Sequence, residues 1–180
     1  MSEVYLDSDQ VRTAVVATLE RFLASEDGIR IADAAAGLGT SAVLELQTVD
    51  PACTVWVDFA GRRLVDEPAE PPAAVATIEA DSLHHLLLDQ LGPVEISQLA
   101  EENRAALQGP PLVLGALLPV VAAVQPHYRP ALTEAGLADL LNAPAPVTGG
   151  VWENDLPSPS VIGVRRPWQR PRSARATGAA

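Results

Sequence analysis

Lysine is absent from this 180-residue chain, cysteine occurs once (Cys53), and aromatic residues make up only 4% of it. A lone cysteine excludes an internal disulfide and a multi-thiolate zinc site. With so few aromatics, Leu, Val, Ile and Ala must fill the core. A chain of this length can build one, since a domain of ~150 residues buries about 70% of the surface its unfolded chain exposes. Basic character is scarce as well. Twelve arginines stand against 23 acids, for a net charge of −11, whereas a nucleic-acid binder needs a basic face. The chain does not open on a basic stretch leading into an apolar run. Neither a secretory signal nor a transit peptide is therefore expected, and the expected compartment is cytoplasmic.

What charge there is divides unevenly. Arg165, Arg166, Arg170, Arg172 and Arg175 fall in the last 16 residues, and no acid follows Asp155. The first 156 residues carry −16 and the tail +5. From Asn142 onward, Pro144, Pro146, Pro157, Pro159, Pro167 and Pro171 leave no room for a periodic element. The expected organisation is a folded domain over 1–141 and a disordered Pro/Arg-rich tail over 142–180.

Within the domain the hydrophobic period changes twice. Val11, Val15, Leu19, Phe22 and Leu23 recur at helical steps, with Asp7 or Ser8 placed to cap the helix. A short second helix is expected over Ile31, Ala35 and Leu38, ending at Gly37-Leu38-Gly39. The period then drops to two. Leu44 and Leu46 share one face of a strand, and Val55, Val57 and Phe59 share one face of the next. Val49-Asp50-Pro51-Ala52 between them is turn chemistry, which predicts a hairpin. Leu64-Val65 makes a short third strand, and Val75–Glu79 a fourth beyond a loop with Pro68, Pro71 and Pro72. Asp81 and Ser82 are expected to cap a helix with Leu83, Leu86, Leu87 and Leu91 on one stripe, closed by Gly92-Pro93. A short helix over 94–102 should bury Ile96 and Leu99, and Arg104–Gln108 reads as a fifth strand.

Leu112–Val124 holds thirteen residues without a polar side chain. It is too short to span a bilayer, which takes ~20 apolar residues, and Pro119 should kink it. A helix apolar all round is either an ordinary core helix or faces something apolar besides its own sheet. A separate final helix is expected from Pro130 to Leu141.

Catalytic chemistry is hard to find. His84 and His85 are helix neighbours, so they point about 100° apart and cannot chelate one ion together. They read as solvated surface histidines, and His127 has no evident carboxylate partner. Cys53 reads as a small structural cysteine. No nucleophile elbow, P-loop or zincin motif is present, and Glu26-Asp27, Asp66-Glu67 and Glu101-Glu102 read as solvated charge. No cofactor is expected. In the tail, Arg165, Arg166, Trp168, Arg170 and Arg172 suit an anionic membrane surface or an acidic protein patch, or else simply keep a disordered tail soluble.

Three stretches together resemble the sterol carrier protein type 2 family, in the manner of its standalone bacterial-type members. They are the hairpin Ala42–Gly61, the strand-into-helix run Ala76–Leu88, and the closing strand and apolar helix Arg104–Val124. The resemblance covers residues 10–140. It departs from the family where a Gly-basic pair opens the last strand, which here is Asn103-Arg104. It implies an α+β fold, with a five-stranded, mostly antiparallel sheet covered by helices that enclose an apolar cavity. It also implies non-catalytic binding or transfer of a lipid, namely a sterol, fatty acid or acyl-CoA. The lining residues it implies are Val55, Val57, Phe59, Ile78, Leu83, Leu86, Leu87, Leu114, Leu117, Leu118 and Val121. The alternative is a scaffold or accessory module with the same fold and a filled core, docking through its Arg/Trp tail.

Overall fold

The computed structural model describes residues 4–37, 42–68 and 70–143, apart from the side chain of Leu118. The expected tail contacts Arg165, Arg166, Trp168, Arg170 and Arg172 lie outside the described residues, as does Leu38 of the second helix. The fold is α+β. Its elements run α1 (Ser8–Leu23), α2 (Glu26–Ala36), β1 (Val43–Val49), β2 (Cys53–Asp58), β3 (Arg63–Val65), β4 (Ala74–Glu79), α3 (Ala80–Leu87), α4 (Pro93–Glu101), β5 (Ala105–Gln108) and α5 (Pro111–Glu134). A 3-10 helix, Ala138–Asn142, follows.

The strands form one sheet in the order β3-β2-β1-β4-β5. β1 and β2 make the expected hairpin, with Leu44 opposite Val57 and Leu46 opposite Val55. Its turn carries a cis Asp50-Pro51 bond, and the Thr48 hydroxyl donates to the Pro51 carbonyl at 2.8 Å. β4 runs parallel to β1, while β3 and β5 pair antiparallel to their neighbours. The two faces differ in chemistry. Val55, Val57, Phe59 and Ile78 are buried on one. On the other, Gln47 donates to Glu45 at 2.7 Å and accepts from Thr77 at 3.3 Å. A sheet with one polar face can take helices only on its other side.

α1 forms where its spacing predicts. Asp7 is the N-cap, its carboxylate accepting from the Gln10 amide at 2.9 Å. Val11, Ala14, Val15, Leu19 and Phe22 are buried. Ser25 caps α2 by accepting from the Gly28 amide. Gly28 is required there, because a Cβ would lie 2.4 Å from the Phe22 carbonyl oxygen.

Four expectations fail, each for a physical reason. Asp81 and Ser82 do not cap α3. The helix starts one residue earlier, at Ala80, with Glu79 in extended conformation as N-cap, and Asp81 instead accepts from the Val4 amide at 3.3 Å. α3 also ends at Leu87, short of Leu91, because Asp89 takes a left-handed conformation with φ 59°. Ile96 is 40% exposed, since α4 lies at the sheet margin and buries Leu99 alone.

The fourth failure is the largest. The apolar run and the expected Pro130–Leu141 helix form one continuous α5 of 24 residues, despite Pro119, Pro126 and Pro130 inside it. A proline inside a helix leaves the carbonyl four residues earlier without its donor, here at Gly115, Ala122 and Pro126. All three residues are exposed, so water can satisfy those carbonyls, and the helix continues. Nor is the run buried on all sides: Val113, Val120 and Val124 are buried, whereas Leu112 is 69% and Val121 39% exposed. The full helix, unlike the thirteen-residue run, is long and apolar enough to cross a membrane by length and composition. Its other side, with Tyr128 and Leu132 fully buried, belongs to the core.

If the freed carbonyls are solvated, restoring a donor should help. Pro126→Ala supplies an N–H to the Ala122 carbonyl, and the variant is expected to be more stable by about 1 kcal/mol. Urea denaturation followed by circular dichroism checks this, and a destabilised variant would contradict the account.

Candidate functional site

An apolar groove opens between α2, one end of the sheet and the N-terminal half of α5. It is lined by Ile31, Ala34 and Ala35 from α2 and by Ala42, Val43, Leu44, Phe59, Ala73 and Ala74 from the sheet and its approaches. Val113, Ala116, Leu117 and Val120 come from α5. No lining residue has a polar side chain. Six of the thirteen are alanines, and these short side chains leave the space that larger ones would fill. The groove holds ≈ 420 Å³ including the part open to solvent, but a water-sized sphere can move its centre through only ≈ 30 Å³ of it. The walls are therefore drawn together.

Of the residues expected to line a cavity, Phe59 and Leu117 line this groove. Val55, Val57, Ile78, Leu83 and Leu87 sit in the core cluster, and Leu86 packs half-buried against it. Leu114 is half-buried and Val121 is exposed on the outer side of α5. The side chain of Leu118 lies outside the described residues. Sequence reading missed the alanines, because an alanine carries little hydrophobic signal and marks a hollow only once its neighbours are known.

A second feature overturns a sequence expectation. His84 and His85 are not solvated: His84 is fully buried and His85 is 7% exposed. α3 is one short helix covered on several sides, by β1, β4 and α5 as well as by the Val4–Tyr5 segment. His84 Nδ1 lies 2.7 Å from the Tyr128 hydroxyl, which lies 2.7 Å from the Tyr5 hydroxyl. This hydrogen-bonded chain ties the N-terminal segment, α3 and α5 together. The His84 ring also meets the Tyr5, Tyr128 and His85 rings edge-on, at centroid distances of 5.3–5.8 Å. His85 Nδ1 turns away to the side-chain Oε1 of Gln90 at 2.8 Å, so the two imidazoles do not converge on an ion. Among the described residues no group of three His, Cys, Asp or Glu side chains is placed to hold a metal.

Burial sets the protonation states of this chain. His84 is lowered to about 4, first by desolvation and then by His85, against the opposing pull of Asp81 and the Leu140 backbone and with a further push from Arg129. Its Nε2 is buried without a hydrogen-bond partner. Desolvation raises Tyr5 to about 12 and raises Tyr128 as well. At the start of β2, burial likewise raises the Cys53 thiol, opposed by Arg12.

Asn103-Arg104, which opens β5, is accounted for too. Asn103 adopts φ 58°, a left-handed conformation that glycine takes freely and asparagine tolerates. Arg104 donates to Glu79 at 2.6 and 2.8 Å and to Glu102 at 3.2 Å.

A histidine lowered to about 4 in the fold, against ~6.5 unfolded, stabilises the protein fully above pH 6.5. That contribution disappears as pH falls through 4. Between pH 7 and pH 4, wild type is expected to lose about 3 kcal/mol more than His84→Gln. Urea midpoints at the two pH values check this, and equal losses would contradict it. Tyr128→Phe leaves buried polar atoms on both Tyr5 and His84 without this partner. At pH 7 the same titration should show a cost of about 2–3 kcal/mol.

No family model matches the chain, and no curated protein matches it. Solved structures do. The chain is similar to the ubiquinone synthesis protein UbiJ-SCP2 at 16% identity, over 63% of this chain and 91% of that one, with a TM-score of 0.44. It is similar to sterol carrier protein 2 from Yarrowia lipolytica, in its apo form, at 10% identity over 69% and 98%, with a TM-score of 0.47. For the sterol carrier protein domain 2 of Helicoverpa armigera the identity is 13% over 60% and 83%, with a TM-score of 0.45.

Proposed function

We propose that the protein binds a lipid-class ligand in the groove between α2, the sheet and α5, and that it does so without a chemical step. The observation that carries this reading is the lining: thirteen residues from three parts of the fold, none with a polar side chain. Such a surface recognises a ligand by removing apolar area from water, at roughly 25 cal/mol per Å². Ligand sites are likewise lined mainly by apolar side chains, but they run to ~300–1,000 Å³, so this groove of ≈ 30 Å³ must widen to take a ligand. The groove lining supplies no nucleophile, acid or base.

The narrowness of the groove argues for an acyl chain over a fused-ring sterol. Six alanines make a slot that a flexible chain can thread, whereas a sterol would need the walls to part further. A fatty acid or the acyl part of an acyl-CoA is therefore the proposed ligand, with its polar head left at the open mouth. The tightness of the empty groove implies that α5 and α2 separate as the ligand enters.

Mass spectrometry of lipid extracted from the purified protein is expected to find a fatty acid or acyl derivative. Added oleate should raise the melting temperature saturably, because a ligand that binds only the folded state stabilises it, by about 2.7 kcal/mol at a hundredfold excess over Kd. Ala116→Phe, which fills the groove, should abolish both effects while the variant stays folded. A protein that carries no lipid and gains no stability from oleate, sterol or acyl-CoA would overturn the proposal.

A further inference from the structure

We propose that Arg62 is the head-group residue of the groove: its guanidinium pairs with the carboxylate of a bound fatty acid, so the site favours acids over neutral lipids of the same chain. This inference rests on the lipid-binding reading and names the residue that would make the ligand an acid.

Placement comes first. The groove residues that the sheet supplies all lie at one of its ends, at the start of β1, the start of β4 and just past β2. At that end Val43 stands opposite Asp58, and Leu44 opposite Ala74. The chain leaves β2 there through Phe59, a groove residue, and turns back into β3. The Arg62 amide donates to the Phe59 carbonyl at 3.2 Å, and the Gly61 amide to the Asp58 carboxylate at 2.8 Å. In a four-residue turn of this kind the first and last Cα atoms lie within about 7 Å of each other. An arginine side chain spans a comparable distance, so the guanidinium is within reach of the groove rim beside Phe59.

Charge singles this arginine out. Seven arginines fall among the described residues. Four of them pair with carboxylates, and Arg12 donates to the Thr54 carbonyl. Among the described residues, only the side chains of Arg62 and Arg129 have neither kind of partner. Arg129 lies on α5 well beyond Val120, the last groove residue of that helix. Arg62 is exposed, and Asp58, the acid of its own turn, is already engaged by Arg63 at 3.2 Å. Asp66, Glu67 and Glu70 stand exposed on the loop from β3 to β4. They would oppose an incoming carboxylate, which leaves Arg62 as the group that attracts one.

The backbone adds an independent observation. Arg62 adopts φ 50°, a left-handed conformation that suits glycine and disfavours a long side chain. The turn does contain a glycine, but one position earlier, where a Cβ would strike the Asp58 carboxylate. An arginine therefore occupies a position whose conformation calls for glycine, and no contact within the described fold uses its charge. Strain kept without a structural return points to a function outside folding.

Oleate and oleyl alcohol, which differ only in the head group, test this on the full chain through the saturable rise in melting temperature each produces. Arg62→Gly should fold, because glycine takes this conformation freely. It is expected to bind oleate about fivefold more weakly than wild type and oleyl alcohol equally well. Arg62→Lys, which keeps the cation, should recover most of the loss. Arg129→Gln makes the same change in net charge away from the groove and should leave both affinities unchanged. An equal loss for both ligands in Arg62→Gly, or the same oleate loss in Arg129→Gln, would overturn the assignment. If wild type binds both ligands and Arg62→Gly binds them as tightly, the head-group role alone is overturned. If wild type responds to neither ligand, the lipid-binding reading is overturned and this inference with it.

Discussion

Val113, Val120, Val124, Tyr128, Ala131 and Leu132 fall on one stripe of α5, and all are buried. The burial of that stripe holds the helices to one another, while α1 and α3 themselves meet the sheet. α5 packs along α1 and touches both α2 and α3, so each of those helices loses part of its covering if α5 moves. Tyr128 contributes most among these residues, because it is fully buried and also joins α3 and the N-terminal segment through hydroxyl contacts. The polar outer face of the sheet makes the arrangement one-sided. That face also carries Trp56 and Val75, both half-buried, among its polar residues.

That one-sidedness explains why α5 behaves differently along its length. Its C-terminal half is packed on α1 and linked to α3 by polar contacts, and buried polar atoms in such chains resist displacement because breaking them leaves each unsatisfied. Its N-terminal half meets α2 and the sheet through alanines and aliphatic side chains. Contacts of that kind have no directional requirement, so they can part and close again around another apolar body. The groove forms against the half without polar ties.

Much of the fold was legible in the sequence wherever one residue's surroundings are set by its near neighbours. The alternation Leu44, Leu46 and Val55, Val57, Phe59 identified the hairpin, since a one-residue slip would have turned the apolar side to water. Asp7 was readable as a cap because capping is local. What escaped depended on distant contacts. His84 reads as a surface residue until Tyr5 and Tyr128, 79 and 44 positions away, are brought against it. Pro119 reads as a kink and Pro130 as the start of a separate helix because nothing local says that Gly115, Ala122 and Pro126 face water. The groove shared this limit: Phe59 and Leu117 were readable as apolar, but the hollow between them is made by Ala34, Ala35, Ala74 and Ala116.

The chain contains two tyrosines, Tyr5 and Tyr128, and they are hydrogen-bonded to each other. The tyrosine absorbance and emission of the whole protein therefore originate in a single buried contact. Once the overlapping indole signal of Trp56, Trp152 and Trp168 is separated out, the phenol bands report the junction of the N-terminal segment with α5. Because burial raises both hydroxyls above the ordinary range, ionisation leaves that signal undisturbed across the pH values at which the protein would normally be handled. The scarcity of aromatic residues thus supplies a native optical label at the point where three elements meet.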